Sequence, residues 1–219
     1  MAEFSLQRRL ADLLRQAKLS VAEDRQVDLL RYLEELAHWN RSHNLTAVSE
    51  PKAALETHLV DSLTLLPLLP ENCTLLDFGS GAGLPGLPLR IVRDDLRLTS
   101  LDAVGKKLAF QRHLARVLRL RGIDFVHARL EDFSADSENH NRYQRIVFRA
   151  VGEINRFASM VLPLLEPGGL WIAMKGPDGQ QDWKNFCGQP LAGFRNHACL
   201  SLKLPACGAE RNLLCFEKE

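Results

Sequence analysis

The sequence predicts an α/β fold: a Rossmann-like sheet flanked by helices, behind an N-terminal helical extension. Three observations lead there. From Thr74 onward, short apolar runs of strand length alternate with helical periodicity, the pattern of a parallel sheet. Residues 77–86, Asp77-Phe78-Gly79-Ser80-Gly81-Ala82-Gly83-Leu84-Pro85-Gly86, form a glycine-rich turn between a strand and a helix. A second acid, Asp102, closes the next strand-like run, residues 96–101.

Taken in order, residues 4–19 and 23–40 read as amphipathic helices. In the second, Val27, Leu30, Leu33, Leu36 and Ala37 recur at helical spacing. Ser20 is its candidate cap, with Glu23 completing a capping box. A third helix is expected over about 51–68, which makes residues 1–70 the helical extension and 71–219 the sheet domain. Strands are expected over 74–78, 97–102, 123–127, 144–149, 170–175 and 211–217, with one more near 194–202. Helices are expected over 86–93, 104–121, 153–165 and 179–186. Pro88 suits a helix that begins near Gly86, because the first helical turn has no N–H to lose. Pro167-Gly168-Gly169 reads as a turn, and Ser134 to Asn141 as a polar surface loop.

A chain of 219 residues suits one sizeable α/β domain with such an extension. The formal net charge is +1, so overall charge does not announce a nucleic-acid partner. Arginine outnumbers lysine, however, and its planar fork suits phosphates and base edges. The five cysteines, Cys73, Cys187, Cys199, Cys207 and Cys215, include no C-x-x-C pair. That odd set argues against a disulfide framework or a metal site and for a reducing cytosol. No apolar signal core or bilayer-length run occurs, so a cytoplasmic protein with no membrane partner is expected.

Alternating glycines remove side chains where a ligand must touch backbone, and they allow positive φ. The helix beyond offers unpaired N–H groups and a positive dipole end. Two cofactors fit this pattern. Gly81 to Gly86 satisfies G-x-G-x-x-G, and Asp102 lies about 20 residues on, as in an NAD-binding oxidoreductase. Against that reading, Asp77 stands where the dinucleotide fingerprint is apolar, and the loop is long and carries two prolines. S-adenosylmethionine fits better: it has no phosphates, and its ribose hydroxyls would donate to Asp102.

Further motifs are Asn44-Leu45-Thr46, His58-Leu59-Val60-Asp61-Ser62, Asp102-Ala103-Val104-Gly105-Lys106-Lys107, Arg149-Ala150 and Lys175-Gly176. With the glycine loop, in this order and spacing, the chain from about residue 30 onward resembles the bacterial 16S rRNA guanine-N7 methyltransferases, the RsmG or glucose-inhibited division protein B family. The chain departs from that family at Phe78, usually valine, and at Phe148, often serine. Residues 178–200 match little.

The resemblance implies a class I S-adenosylmethionine-dependent methyltransferase with a seven-stranded sheet and a late antiparallel hairpin. Ligands of such sheets bind beyond the strand carboxyl ends, where Gly79, Gly81, Leu84, Asp102, Leu130, Glu131 and Arg149 are expected. Leu130 would wall the adenine and Glu131 contact it, with Asp132 the alternative to Glu131. Arg149, ending a buried strand, needs a partner: the cofactor carboxylate, the guanine, or an ion pair with Asp77 or Asp102. Lys175 would meet RNA phosphate or solvent. His58 and Asp61 share a helical face, which on its own is a structural pair. The resemblance makes that face the roof of the substrate pocket, with Asn44 hydrogen-bonding there. No catalytic nucleophile is expected. The implied partner is 16S rRNA, within the 30S subunit or a precursor, acted on by a monomer. A methyltransferase of another substrate is the alternative.

One more feature stands apart. Helix 104–121 carries Lys106, Lys107, Arg112, Arg116, Arg119 and Arg121, with no acid between Asp102 and Asp124. Arg112, Arg116 and Arg119 would share a face opposite Leu114, Val117 and Leu118, either solvated or in contact with phosphate.

Overall fold

The computed structural model describes residues 2–48, 50–149 and 153–219; the expected Ala150 position falls outside them. Two long helices, α1 (Ala2–Gln16) and α2 (Glu23–His43), come first. α2 buries Leu29, Tyr32 and Leu36. The expected stripe holds in part: Leu36 is buried and Leu30 and Leu33 pack against the core, but Val27 is 52% exposed and Ala37 is exposed, and Leu30, Leu33, Leu36 and Ala37 also edge an open groove of about 680 Å³ shared with Leu6. Ser20 does not cap α2. The helix starts at Glu23, as expected, but its cap position is Ala22, two residues after Ser20, and Ala22 offers no side-chain acceptor.

The expected helix 51–68 is broken into short pieces: α3 (Pro51–Ala54), a π-helical turn over Leu55–Val60, α4 (Asp61–Leu63) and a 3-10 turn over Leu66–Leu68. Pro51 opens it, and the Glu50 carboxylate accepts the Ala53 N–H at 2.6 Å.

The sheet follows: β1 (Thr74–Phe78), α5 (Gly86–Val92), β2 (Arg97–Asp102), α6 (Gly105–Val117), β3 (Ile123–His127), α7 (Leu130–Ala135), β4 (Tyr143–Arg149), α8 (Ile154–Leu164), β5 (Leu165–Lys175), α9 (Gly179–Gly188), β6 (Phe194–Lys203) and β7 (Glu210–Lys218). The order is β3-β2-β1-β4-β5-β7-β6, parallel except for β7, which is antiparallel to β5 and β6. The chain leaves β1 for β2 on one side and later returns to β4 on the other. This switch point opens a crevice at the carboxyl ends of β1, β2 and β4.

Three local expectations need correction. The Pro167-Gly168-Gly169 turn is a bulge inside β5: Tyr143 pairs with Leu165 but Arg145 with Leu170. The segment 134–141 is not all loop, since Ser134 closes into α7 and Asn139 is buried, donating to the Phe133 carbonyl at 2.9 Å. α6 stops at Val117, which is 39% exposed rather than buried.

Two apolar cores face the sheet. One joins Leu10, Leu29, Tyr32 and Leu59 of the N-terminal helices to Leu75, Leu87, Phe110 and Val147 of the sheet layer. The other packs Phe78, Phe148, Trp171 and Phe216 beneath α8 and α9. Among the described residues, no helix is long and apolar enough to cross a membrane.

Candidate cofactor and substrate site

After β1, Gly79, Gly81 and Gly83 take φ of 65°, 58° and 84°, which an L side chain adopts only with strain. At Gly83 a Cβ would also lie 2.4 Å from Leu87. The loop curls over the end of β2. Asp102 Oδ2 accepts the Gly81 N–H and Oδ1 the Val104 N–H, each at 2.8 Å, and Lys107 Nζ lies 3.7 Å away. Each carboxylate oxygen keeps lone-pair capacity for another donor. Gln111, buried on α6, completes the clamp. It accepts from Ser100 Oγ at 2.6 Å and donates to Ser80 Oγ and the Gly81 carbonyl, both at 2.9 Å. Tyr32 of α2 donates to the Ala82 carbonyl at 2.9 Å. Sequence reasoning missed both residues; an amide between Leu108 and Leu114 on a buried helix face was the available signal for Gln111.

Asp77 is fully buried. Its Oδ2 accepts the Gly86 N–H at 2.8 Å, while Oδ1 has no partner among the described residues. Burial pushes its carboxyl up to about 7, against the opposing pull of the Gly86 N–H and the Arg149 charge. The acid is thus held close to its titration point at neutral pH.

Beside the loop, Phe78, Gly79, Asp102, Leu130, Glu131 and Phe157 line a cleft of about 260 Å³. Leu130 is buried at the start of α7. Glu131 is exposed and sits 3.8 Å from Arg156, and Asp132 is not among the cleft residues.

Arg149 leaves β4 toward the π-helical turn rather than toward Asp77 or Asp102. It donates to the Thr57 carbonyl at 2.8 Å and approaches Asp61 Oδ2 at 3.4 Å. Arg211 of β7, which sequence reasoning missed, holds both Asp61 oxygens through Nε at 3.0 and 3.1 Å. Glu56, also missed, is buried and accepts the N–H groups of Ala206 and Cys207 at 2.5 and 3.0 Å. His58 meets Thr46 Oγ1 through Nε2 at 3.0 Å, and its buried Nδ1 has no partner among the described residues. Burial, then the Arg149 charge, lowers its pKa to about 4, so the ring is neutral at pH 7. His58 and Asp61 therefore belong to one cluster but do not bond each other: the broader π turn separates their partners. Asn44 ends α2 in the left-handed conformation, φ 50°, and is exposed. Lys175 ends β5 paired with Asp182 at 2.9 Å.

A sheet in this strand order, with its glycine loop between two strand-end acids, makes the protein a class I methyltransferase. The framework is shared by solved structures such as M. jannaschii TYW2 in complex with AdoMet (TM-score 0.56, 13% identity, 74% of this chain and 76% of that one) and TrmN from Thermus thermophilus (TM-score 0.56, 18% identity, 75% and 53%). The model of the GidB family, rRNA small subunit methyltransferase G, matches residues 25–210. The ribosomal RNA small subunit methyltransferase G of Syntrophotalea carbinolica is 41% identical over 216 residues, 98% of this chain and 99% of the relative. The chain belongs to the rRNA small subunit methyltransferase G family.

Proposed function

We propose that this protein transfers the methyl group of S-adenosylmethionine to N7 of one guanine in 16S rRNA. Family membership supports the reaction and the RNA class. One observation supports the site: Asp77, Asp102 and Arg149 lie at the ends of neighbouring strands, and Arg149 reaches the segment that carries His58 in the π turn and Asp61 in α4.

The residues fit the cofactor. Asp102 would receive the ribose hydroxyls, Leu130 and Glu131 the adenine, and Gly79, Gly81 and Leu84 the backbone-contacting portion. Arg149, which here bonds Thr57 and approaches Asp61, would take the carboxylate. Asp77 Oδ1, which has no partner among the described residues, would suit a cationic amino group. When bound, the cofactor supplies a methyl already activated on a sulfonium. Guanine N7 carries an in-plane lone pair and no proton, so no general base is required. The chain's task is alignment, with reacting atoms roughly 3–3.5 Å apart. Neutral His58, held by Thr46, shapes the wall of the pocket that would receive the base. The Asp61 carboxylate stabilises positive charge arriving on the ring, while Asn44 and Lys175 steady the RNA. We assign residues 1–70 to the roof and 71–219 to the cofactor domain, acting as a cytoplasmic monomer on the 30S subunit or a precursor.

The test is to incubate the protein with methyl-labelled S-adenosylmethionine and 30S subunits from a strain lacking the enzyme, then map the label. Label on N7 of a single 16S guanine is expected. Cofactor binding with no label on the RNA would leave the fold intact and refute the substrate.

A further inference from the structure

α6 begins just past Asp102, and its 13 residues carry the chain about 20 Å back to the amino ends of the strands. There Arg112, Arg116, Arg119 and Arg121, with Leu120 and Phe125, line an open surface cleft of about 660 Å³. All four arginines are exposed. Among the described residues, the side chains of Arg116, Arg119 and Arg121 make no ion pair or hydrogen bond. Others, such as Arg93 with Asp95 and Arg195 with Glu217, are matched to acids at 2.6 Å. With a net charge of only +1 for the whole chain, this is a local concentration of unmatched charge.

Two details show that the cleft is built. Arg112 is held in place, donating to the Phe125 carbonyl at 3.1 Å with its guanidinium 5.8 Å from the centre of the Phe125 ring. The end of α6 is a Schellman turn: Leu120 N–H reaches the Ala115 carbonyl at 2.8 Å and Arg119 N–H the Arg116 carbonyl at 3.3 Å. The left-handed residue of that turn, φ 53°, is Arg119, at a position glycine fills at least cost. The chain accepts strain there and gains a guanidinium at the cleft mouth. Asp124, the neighbouring acid, alternates with Phe125 along β3 and so faces the other side of the sheet.

We propose that this cleft is a second contact surface for the RNA substrate, gripping backbone phosphates remote from the guanine being methylated. Guanidinium forks match phosphate oxygens in pairs, and the Leu120–Phe125 floor gives an unstacked base or ribose an apolar face. Lys106, exposed on the first turn of α6, lies on the way from the cofactor edge. The inference rests on the RNA-methylation reading.

The test compares wild type, R116Q/R119N and R116K/R119K, using small subunits that lack the methyl group. Asparagine is chosen at 119 because it tolerates positive φ. Arg112 is left alone because it bonds the backbone. For R116Q/R119N, KM for subunits should rise roughly tenfold, the size expected for losing a charged hydrogen bond. Its kcat and S-adenosylmethionine affinity should be unchanged. The slope of log affinity against log salt should fall by about 1.4, at about 0.7 per single-strand phosphate. The lysine variant should keep most of the slope. Unchanged KM and slope in R116Q/R119N overturns the proposal, as does weaker binding of heparin alone with an unaltered KM for subunits. Equal loss in the glutamine–asparagine and lysine variants also overturns it, because charge would then not be the cause. Failure of the wild type itself to label RNA refutes the function and is read separately.

Discussion

Asp102 and Asp77 end neighbouring strands, yet their carboxylates have different surroundings. Asp102 is fixed by the N–H groups of Gly81 and Val104 with Lys107 nearby, whereas Asp77 is buried with one N–H and, among the described residues, an unmatched oxygen. Replacing Asp102 with alanine should abolish or strongly weaken S-adenosylmethionine binding, read by calorimetry; near-wild-type affinity would remove its ribose role. For Asp77 the sign follows from linkage. Its folded pKa, about 7, lies above the ordinary 3.8, so the native state binds the extra proton. Its stabilising contribution is complete below pH 3.8 and lost as pH rises to about 7. D77N, which keeps an acceptor for Gly86, should therefore be more stable than wild type at pH 8, by about 1–4 kcal/mol. The advantage should shrink towards pH 4 in denaturant titrations. At this scale the sequence was most legible for acids and glycines, whose chemistry is local. Glu56 and Arg211 were illegible because their partners lie about 150 residues away along the chain. The family departures Phe78 and Phe148 also prove to be one event in space: their rings stack at 5.0 Å with an interplanar angle of 20°.

Strands were readable to within a residue at β1, β2 and β3, because apolar runs bounded by turns have few alternatives. Helix faces were less so. In α2 the groove-lining leucines mimic a buried stripe, and only tertiary packing reveals that Leu29 and Tyr32 point inward. The π turn was invisible, since such single turns carry no periodicity of their own, and the partners of Glu56 lie far along the chain. Two substitutions test these junctions. Gly86→Ala would put a Cβ 2.8 Å from Asp77 Oδ2 and 3.0 Å from Leu98 at the start of α5. It should cost about 1–3 kcal/mol by overpacking and weaken cofactor binding, checked by melting and calorimetry. Glu56→Ala leaves the Ala206 and Cys207 N–H groups without their acceptor and should cost about 2–3 kcal/mol in denaturant unfolding. An unchanged midpoint would show that the clamp contributes nothing.

For the molecule as a whole, α1, α2 and the roof share a single apolar core with β1, β4 and α5. Heating should therefore give one cooperative calorimetric transition, with calorimetric and van't Hoff enthalpies equal. A separate early melt of the N-terminal helices would contradict this. The clasp between the π turn and the β7 arm has a temporal meaning too. Asp61 waits for Arg211, and Glu56 for the backbone at 206–207. During synthesis the early helices and the glycine loop emerge long before the segment that closes over them. Contacts of such high sequence separation form late and slowly. A nascent chain stalled before β7 would hold the loop but have no finished roof, so a truncated product released early should be unable to modify the ribosomes around it.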